Sequence, residues 1–458
     1  MQNQGRLLEV IDRAYDGPPC DEREFDLTHV AGNVARVVKE YDIKFDPGSL
    51  IQRDDAMIGR LWEASLDFLE SCGVYNTSTG RRMLFTRREI EEWLAAAPLQ
   101  AVIGEGRDAR TEVYRSVEDP HPPIIIGGPV GVPLSEEMFV PIMQSYIQEP
   151  IVDTATIGCL DSTYGREIRT QSPLEVVAAW QEVDLVFTAA RRAGRPGMAF
   201  GAVSIAISEI GHLSVISRGG YRPVDWHVIA MFGEMKVNNG LLIKVAHSVR
   251  TDGVIQSFYN PILGGLGGGE EGVAVLITAG LIAMQIMYMA ATHSSAPVTS
   301  LIPADTVPQL LRSMSAAHTA LSQYTHLMTD LPISPLAGPG TETLLYETVA
   351  AATLGTVCGA SRLMGPRSAT GVYLNHCTGL ESRFMGEVGH AAAGMSREQA
   401  EGIVQKAVAE YEPELSGKPF GQPFQELYDM TTLRPNPEWL ATYDKVKENV
   451  AGWGLNFK

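Results

Sequence analysis

The chain has 458 residues, of which 45% are hydrophobic and 20% charged, enough apolar material for a large core and too much for extensive disorder. A formal charge of −18 excludes nucleic acid and anionic lipid as main partners, since both are held through clustered Lys and Arg. The five cysteines, Cys20, Cys72, Cys159, Cys358 and Cys377, form no CxxC or CxxH pair and read as free thiols of a reducing, cytoplasmic setting.

No apolar stretch follows Met1-Gln-Asn-Gln-Gly-Arg, so no signal peptide is expected. Residues 1–120 are rich in charge and contain helical stretches at Asp55–Cys72 and Thr86–Ala97, the composition of a helical cap. From Pro123 onward, short apolar runs end in Gly, Pro or His, and longer helical stretches follow them. The predicted strands are Pro123–Ile126, Asp153–Leu160, Met198–Val203, Leu241–Ala246, Pro297–Ile302 and Ile333–Ala337. Ser172–Arg192 is a predicted helix with Ser172 as N-cap, Pro173 at the first position and Glu175 completing a capping box. Asp225–Val237 is a second, stopped by Asn238-Asn239-Gly240.

Val273–Ala291 is apolar and long enough to span a bilayer. Glu270-Glu271 precede it, no Lys or Arg flanks it, and Thr278, Gly280 and Gln285 interrupt it, so a helix buried between layers is expected and a membrane is not. Repeated strand-helix units without a dinucleotide fingerprint predict an α/β fold: a parallel sheet closed into a barrel over 121–395, with an N-terminal helical cap over 1–120 and a C-terminal helical tail over 396–458. An open doubly wound sheet is the structural rival.

In such a barrel, chemistry sits where strands end. Those places are GGPVG at Gly127–Gly131, the stretch around Gly201, His247, Gly264–Gly269 and AGPGTE at Ala337–Glu342. Five glycines among the six residues Gly264–Gly269 let backbone approach a large ligand closely, although the run lacks the Lys and Ser/Thr of a phosphate loop. The ten histidines make no HExxH or HxH, so no bound catalytic metal is expected. Glu209, in the apolar stretch IAISEIGHL, and His247 are the candidate acid-base groups, with His212 and His227 behind them. No GxSxG is present.

Several segments then occur together in order: IDRAYDGPPC, LESCGVYNTSTGR at Leu69–Arg81, GGPVGVPLSEEMF at Gly127–Phe139, AGRPGM at Ala193–Met198, AGPGTE, GLESRFMGEVGHAAAG at Gly379–Gly394 and QELYD at Gln425–Asp429. Through them the chain resembles the methylamine:corrinoid methyltransferase family, its monomethylamine branch in particular, over nearly its full length. The resemblance implies a (β/α)8 TIM barrel that moves a methyl group from a small methylated substrate to the reduced cobalt of a corrinoid held by a separate corrinoid-binding protein, with no cofactor tightly bound. It also implies a homo-oligomer, a hexamer by family habit. A glycine rim of Gly127, Gly128, Gly264, Gly265, Gly267, Gly268, Gly338 and Gly340 would face the corrin.

The departures carry as much information as the matches. The family's pyrrolysine position falls on Gly201, its two active-site glutamates on Val228 and Phe258, and its pocket glutamine on Pro332; His247 falls on a family histidine. All four changes remove polar or reactive groups, so free monomethylamine is not the expected substrate. A quaternary nitrogen or sulfonium leaves as a neutral molecule without acid assistance, and aromatic surface such as Phe258 and Tyr259 can hold it, although strand alternation points these two to opposite faces. Glu209, His212, His227, His247, Tyr259 and Asn260 are the positioning candidates. The alternatives are a barrel repurposed as a lyase or isomerase with Glu209 or His247 as base, and a ligand-binding barrel without catalysis.

Overall fold

The computed structural model describes residues 2–202, 208–300 and 304–457. Eight short strands form its centre: β1 (Ile124–Gly127), β2 (Thr154–Ala155), β3 (Gly201–Ala202), β4 (Trp226–Met231), β5 (Val254–Tyr259), β6 (Thr292–Ser295), β7 (Met328–Pro332) and β8 (Arg362–Met364). Each pairs in parallel with the next, β8 pairs with β1, and a parallel bridge between Ala155 and Phe200 joins β2 to the start of β3. The sheet therefore closes on itself, as the repeated units predict, and the open-sheet rival is excluded.

One helix follows each strand: α1 (Glu136–Ile147), α2 (Pro173–Arg192), α3 (Glu209–Val215), α4 (Asn239–Arg250), α5 (Glu270–Tyr288), α6 (Pro308–Tyr324), α7 (Glu342–Val357) and α8 (Gly379–Ala392). Ser172 caps α2 by accepting the Leu174 N–H, with Pro173 in the first turn. Glu175 does not close a capping box there; its carboxylate takes the Ser208 N–H and hydroxyl and so holds the start of α3. The apolar run from Val273 lies in α5, whose every residue from Gly272 to Tyr288 is buried between the sheet and the helix Asp55–Cys72. By length and apolarity it could cross a membrane; here it is a core helix.

Two predicted elements exchange type. Leu241–Ala246 is not a strand, because the Asn238 side chain accepts the Leu241 N–H at 2.9 Å and starts α4 where the sequence suggests a helix stop. Trp226–Met231 is not helical; it is β4, with Trp226, Val228 and Ala230 turned into the barrel and Ile229 and Met231 toward the helices. Predicted strands Pro297–Ile302 and Ile333–Ala337 lie beyond the true ones, β6 and β7; Leu301, Ile302 and Val203 fall outside the described residues.

The N-terminal region is more than a helical cap. A hairpin of Gln100–Ile103 and Arg110–Val113 brings Glu112, fully buried, against Arg362 of β8. At the C-terminus, the helix Arg397–Tyr411 packs on α7, and Pro419–Gln422 runs over the loop that opens it.

Candidate functional site

Eight strands leave room inside the ring for side chains alone near the floor and for a cavity where the inward residues become small. The floor is polar. Arg362 donates to Thr292 Oγ1 and Gln256 Oε1, both at 2.9 Å, and lies 3.2 Å from Asp330 and 3.4 Å from Glu112. Its guanidinium also sits 4.8 Å from the centroid of the Trp226 ring. Burial, with Glu112 adding to it against the pull of Arg362, pushes the Asp330 carboxyl up to about 8; Glu112 is raised for the same reason. Two carboxyl groups on one arginine at the floor of a closed barrel cannot both ionise cheaply.

Above this floor, at the carboxyl ends of the strands, opens a cavity of about 470 Å³. Gly201, Val228, Phe258 and Pro332 all line it, together with Asn260. The four positions singled out in the sequence through the family resemblance thus line one cavity. Trp226 occupies the space a side chain at 201 would need: a Cβ on Gly201 would lie 2.3 Å from its Cη2. The indole is fixed by an Nε1–H donated to Thr154 Oγ1 at 2.9 Å.

The rest of the wall includes Ala230, Phe232, Val298 and Met364, with three groups that sequence reasoning missed: Gln256, Lys244 and Arg367. Gln256 is held at both ends of its amide: the oxygen accepts from Arg362, and the nitrogen donates to Met364 Sδ at 4.0 Å. Arg367 donates its Nε–H to Val130 O at 3.1 Å and Nη1–H to Thr370 O at 2.6 Å. Burial depresses the pKa of Lys244, opposed by Glu209 and Glu175, and that of Arg367, opposed by Asp305. No Asp or Glu lines the cavity among the described residues. Lys244 is the single charge inside the apolar run LLIKVA, the one sequence signal available; Arg367 has none.

The other candidates are placed elsewhere. Tyr259 points outward as alternation requires, fully buried against Gly280 of α5. His227 also faces the helices, packed beside Gly253, its ring 5.7 Å from that of His212 on α3. Burial lowers the His227 pKa to about 4 and holds that of His212 well below the usual imidazole value, so neither is a proton carrier at neutral pH. His247 stands in the last turn of α4, not at a strand end, and donates to Ile216 O at 3.1 Å. Glu209 opens α3 beside Gly240 and does not line the cavity.

The glycine rim is only partly a rim. Gly264, Gly265 and Gly268 are exposed, but Gly267 is buried under Leu276. Gly127 and Gly128 are buried, one against Val152 and the other against the Thr156 backbone; their missing side chains serve chain packing. Gly338 and Gly340 are covered by the chain's own tail, where Gly338 N–H donates to Pro419 O and Gln422 N–H to Pro339 O.

This architecture has close counterparts. The family model described as monomethylamine methyltransferase MtmB matches residues 6–455. Monomethylamine methyltransferase MtmB2 of Methanosarcina acetivorans is 33% identical over 449 residues, 98% of each chain, and MtmB1 of Methanosarcina barkeri (strain Fusaro) is 34% identical over the same share. The crystal structure of the Methanosarcina barkeri enzyme superposes with a TM-score of 0.96 over 98% of both chains at 33% identity, as does that of a hydroxylamine MtmB complex. With its closed barrel, near-complete coverage and this degree of identity, the chain belongs to the monomethylamine methyltransferase MtmB family.

Proposed function

We propose that the protein transfers a methyl group from a small quaternary ammonium or sulfonium donor to the reduced corrinoid of a partner protein, without pyrrolysine. One observation carries this reading: Gly201, Val228, Phe258 and Pro332, where the family resemblance implies pyrrolysine, two glutamates and a glutamine, all line one cavity, and Trp226 fills the space beside Gly201. Without a carboxylate in the wall, free methylammonium has no group to orient it or offset its lost hydration.

An onium donor needs neither. Its carbon–nitrogen or carbon–sulfur bond breaks with the electron pair staying on the heteroatom, which departs neutral, and no proton moves. The reduced corrinoid is the methyl acceptor and contributes the electron pair for the new bond. The chain's own part is positional: Phe258 and Phe232 offer apolar aromatic faces to the cation, and the narrow floor keeps the donor methyl toward the open end. Exposed Gly264, Gly265 and Gly268 at the mouth suit the approach of a broad flat ligand, since a Cβ on Gly268 meets no atom within 4 Å.

A lyase or isomerase working through Glu209 or His247 is disfavoured, because neither lines the cavity. Product analysis tests the proposal. Incubation of a deuteromethyl-labelled onium donor with the protein and a reduced corrinoid protein should yield the demethylated donor, only when both proteins are present. Demethylation that proceeds equally without the corrinoid protein would overturn it.

A further inference from the structure

The wall of the cavity has a sign. The molecule as a whole is strongly acidic, at −18, yet the ionisable groups lining its central cavity are Lys244 and Arg367, and a third cation, Arg362, lies beneath the floor. Arg362 is answered by Asp330 and Glu112. Arg367 is not: no carboxylate among the described residues comes within ion-pair distance of it, and Asp305, which acts on it from further away, spends its oxygens on the Ser334 N–H. Two of the Arg367 nitrogens are engaged by carbonyl oxygens, which fixes the guanidinium plane, while among the described residues Nη2 has no hydrogen-bond partner and is not one of the buried unpaired atoms.

A cavity of this kind repels a bare cation, and the onium head assigned above is a cation. The two facts are reconciled if the donor carries its own negative charge. The positions allow it: Phe258 and Phe232 extend from β5 and β4, whereas Arg367 follows β8, on the far side of an eight-stranded ring. We infer that the methyl donor is a zwitterion, an onium compound bearing a carboxylate, with the onium methyls against the aromatic side and the carboxylate on Arg367 Nη2. Lys244, in the same wall, adds positive potential. This inference rests on the onium reading for the cation and on Arg367 for the anion. A guanidinium held by two backbone carbonyls is pre-organised for a carboxylate oxygen, and charge-assisted hydrogen bonds to such a fixed group discriminate strongly against a neutral replacement.

The test uses two donors with the same trimethylammonium head, one ending in a carboxylate and one in a hydroxyl. Binding to the isolated protein is measured by calorimetry, and kcat/KM for methyl transfer with a corrinoid protein. The carboxylate donor should bind and react at least about tenfold better. Arg367→Gln should lower its affinity by about tenfold to a hundredfold while the hydroxyl compound, relieved of a like charge, binds no more weakly than before, and Arg367→Lys should restore part of the difference. Lys244→Met, which leaves the Arg367 anchors in place, should weaken the carboxylate donor less and in the same direction; circular dichroism confirms that each variant is folded. Equal binding of the two donors, or equal loss of both in Arg367→Gln, would overturn the inference. Tight selective binding of the carboxylate donor without methyl transfer would instead uphold the anion site and sink the methyl-transfer reading.

Discussion

Replacing Gly201 by alanine should be costly for a reason the backbone does not supply. Gly201 lies outside the left-handed region, so alanine fits its dihedral angles, and a smaller unfolded-state entropy would favour the variant by about 0.4–1 kcal/mol. Against this, the new Cβ would lie 2.3, 2.5 and 2.7 Å from Cη2, Cζ3 and Cζ2 of Trp226, all well inside carbon–carbon contact. The indole has little room to retreat, being bonded to Thr154 and backed by Arg362. Overpacking of this severity costs about 3 kcal/mol, leaving a net loss of about 2 kcal/mol. At roughly 2 cal/mol/K per residue of unfolding entropy, a chain of this length would lose about 2 °C in Tm, measurable by calorimetry alongside urea unfolding. Trp226→Phe removes the far edge of the ring, so the double variant Gly201→Ala/Trp226→Phe should be at least about 1 kcal/mol more stable than the sum of the single effects. A neutral Gly201→Ala with no such coupling would refute the claim that Trp226 occupies the space beside residue 201.

Three further outcomes follow from the same geometry. Asp330, pushed up to about 8, and the raised Glu112 hold protons more tightly folded than unfolded. The Asp330 contribution is therefore greatest below about pH 4 and is lost as pH rises through about 8, with that of Glu112 changing in the same direction, and Asp330→Asn should flatten the fall in Tm between pH 5 and 9. Conversely, burial depresses His227 and His318 to about 4 and His293 to about 3, so stability present above about pH 6.5 is lost as pH falls toward 4. His227 and His318 each represent about 3 kcal/mol at the acid limit and His293 about 5, and His318→Gln should shift the acid unfolding midpoint downward; an unchanged midpoint would contradict it. His247→Asn should leave kcat/KM for methyl transfer within about twofold, since the ring serves Ile216 and not the cavity; a loss beyond tenfold would return His247 to the site.

The barrel could be read from the chain because its units repeat, with Ser172-Pro173 and the apolar runs marking borders that the structure keeps. The errors share a physical origin. β4 is covered on both faces, so WHVIAM shows no alternation of polar and apolar residues, and the helix start at Asn238 reads as a stop because asparagine serves both ends. β6 was missed since His293 and its serines look like a loop until Ser257 and Gln285 are seen to bond the imidazole. At the site, Gly201, Val228, Phe258 and Pro332 were legible only through family spacing. Trp226, Lys244 and Arg367 were not, because their role depends on which side of a closed ring they face.

The most direct test of the account mixes the protein with a reduced corrinoid protein and a panel of methylamine, quaternary amines, betaines and sulfonium compounds, following methylation of the corrinoid by its visible spectrum. The account predicts methylation from an onium donor, strongest with a carboxylate-bearing one, and none from monomethylamine. Methylation from monomethylamine, or from no member of the panel, would contradict it.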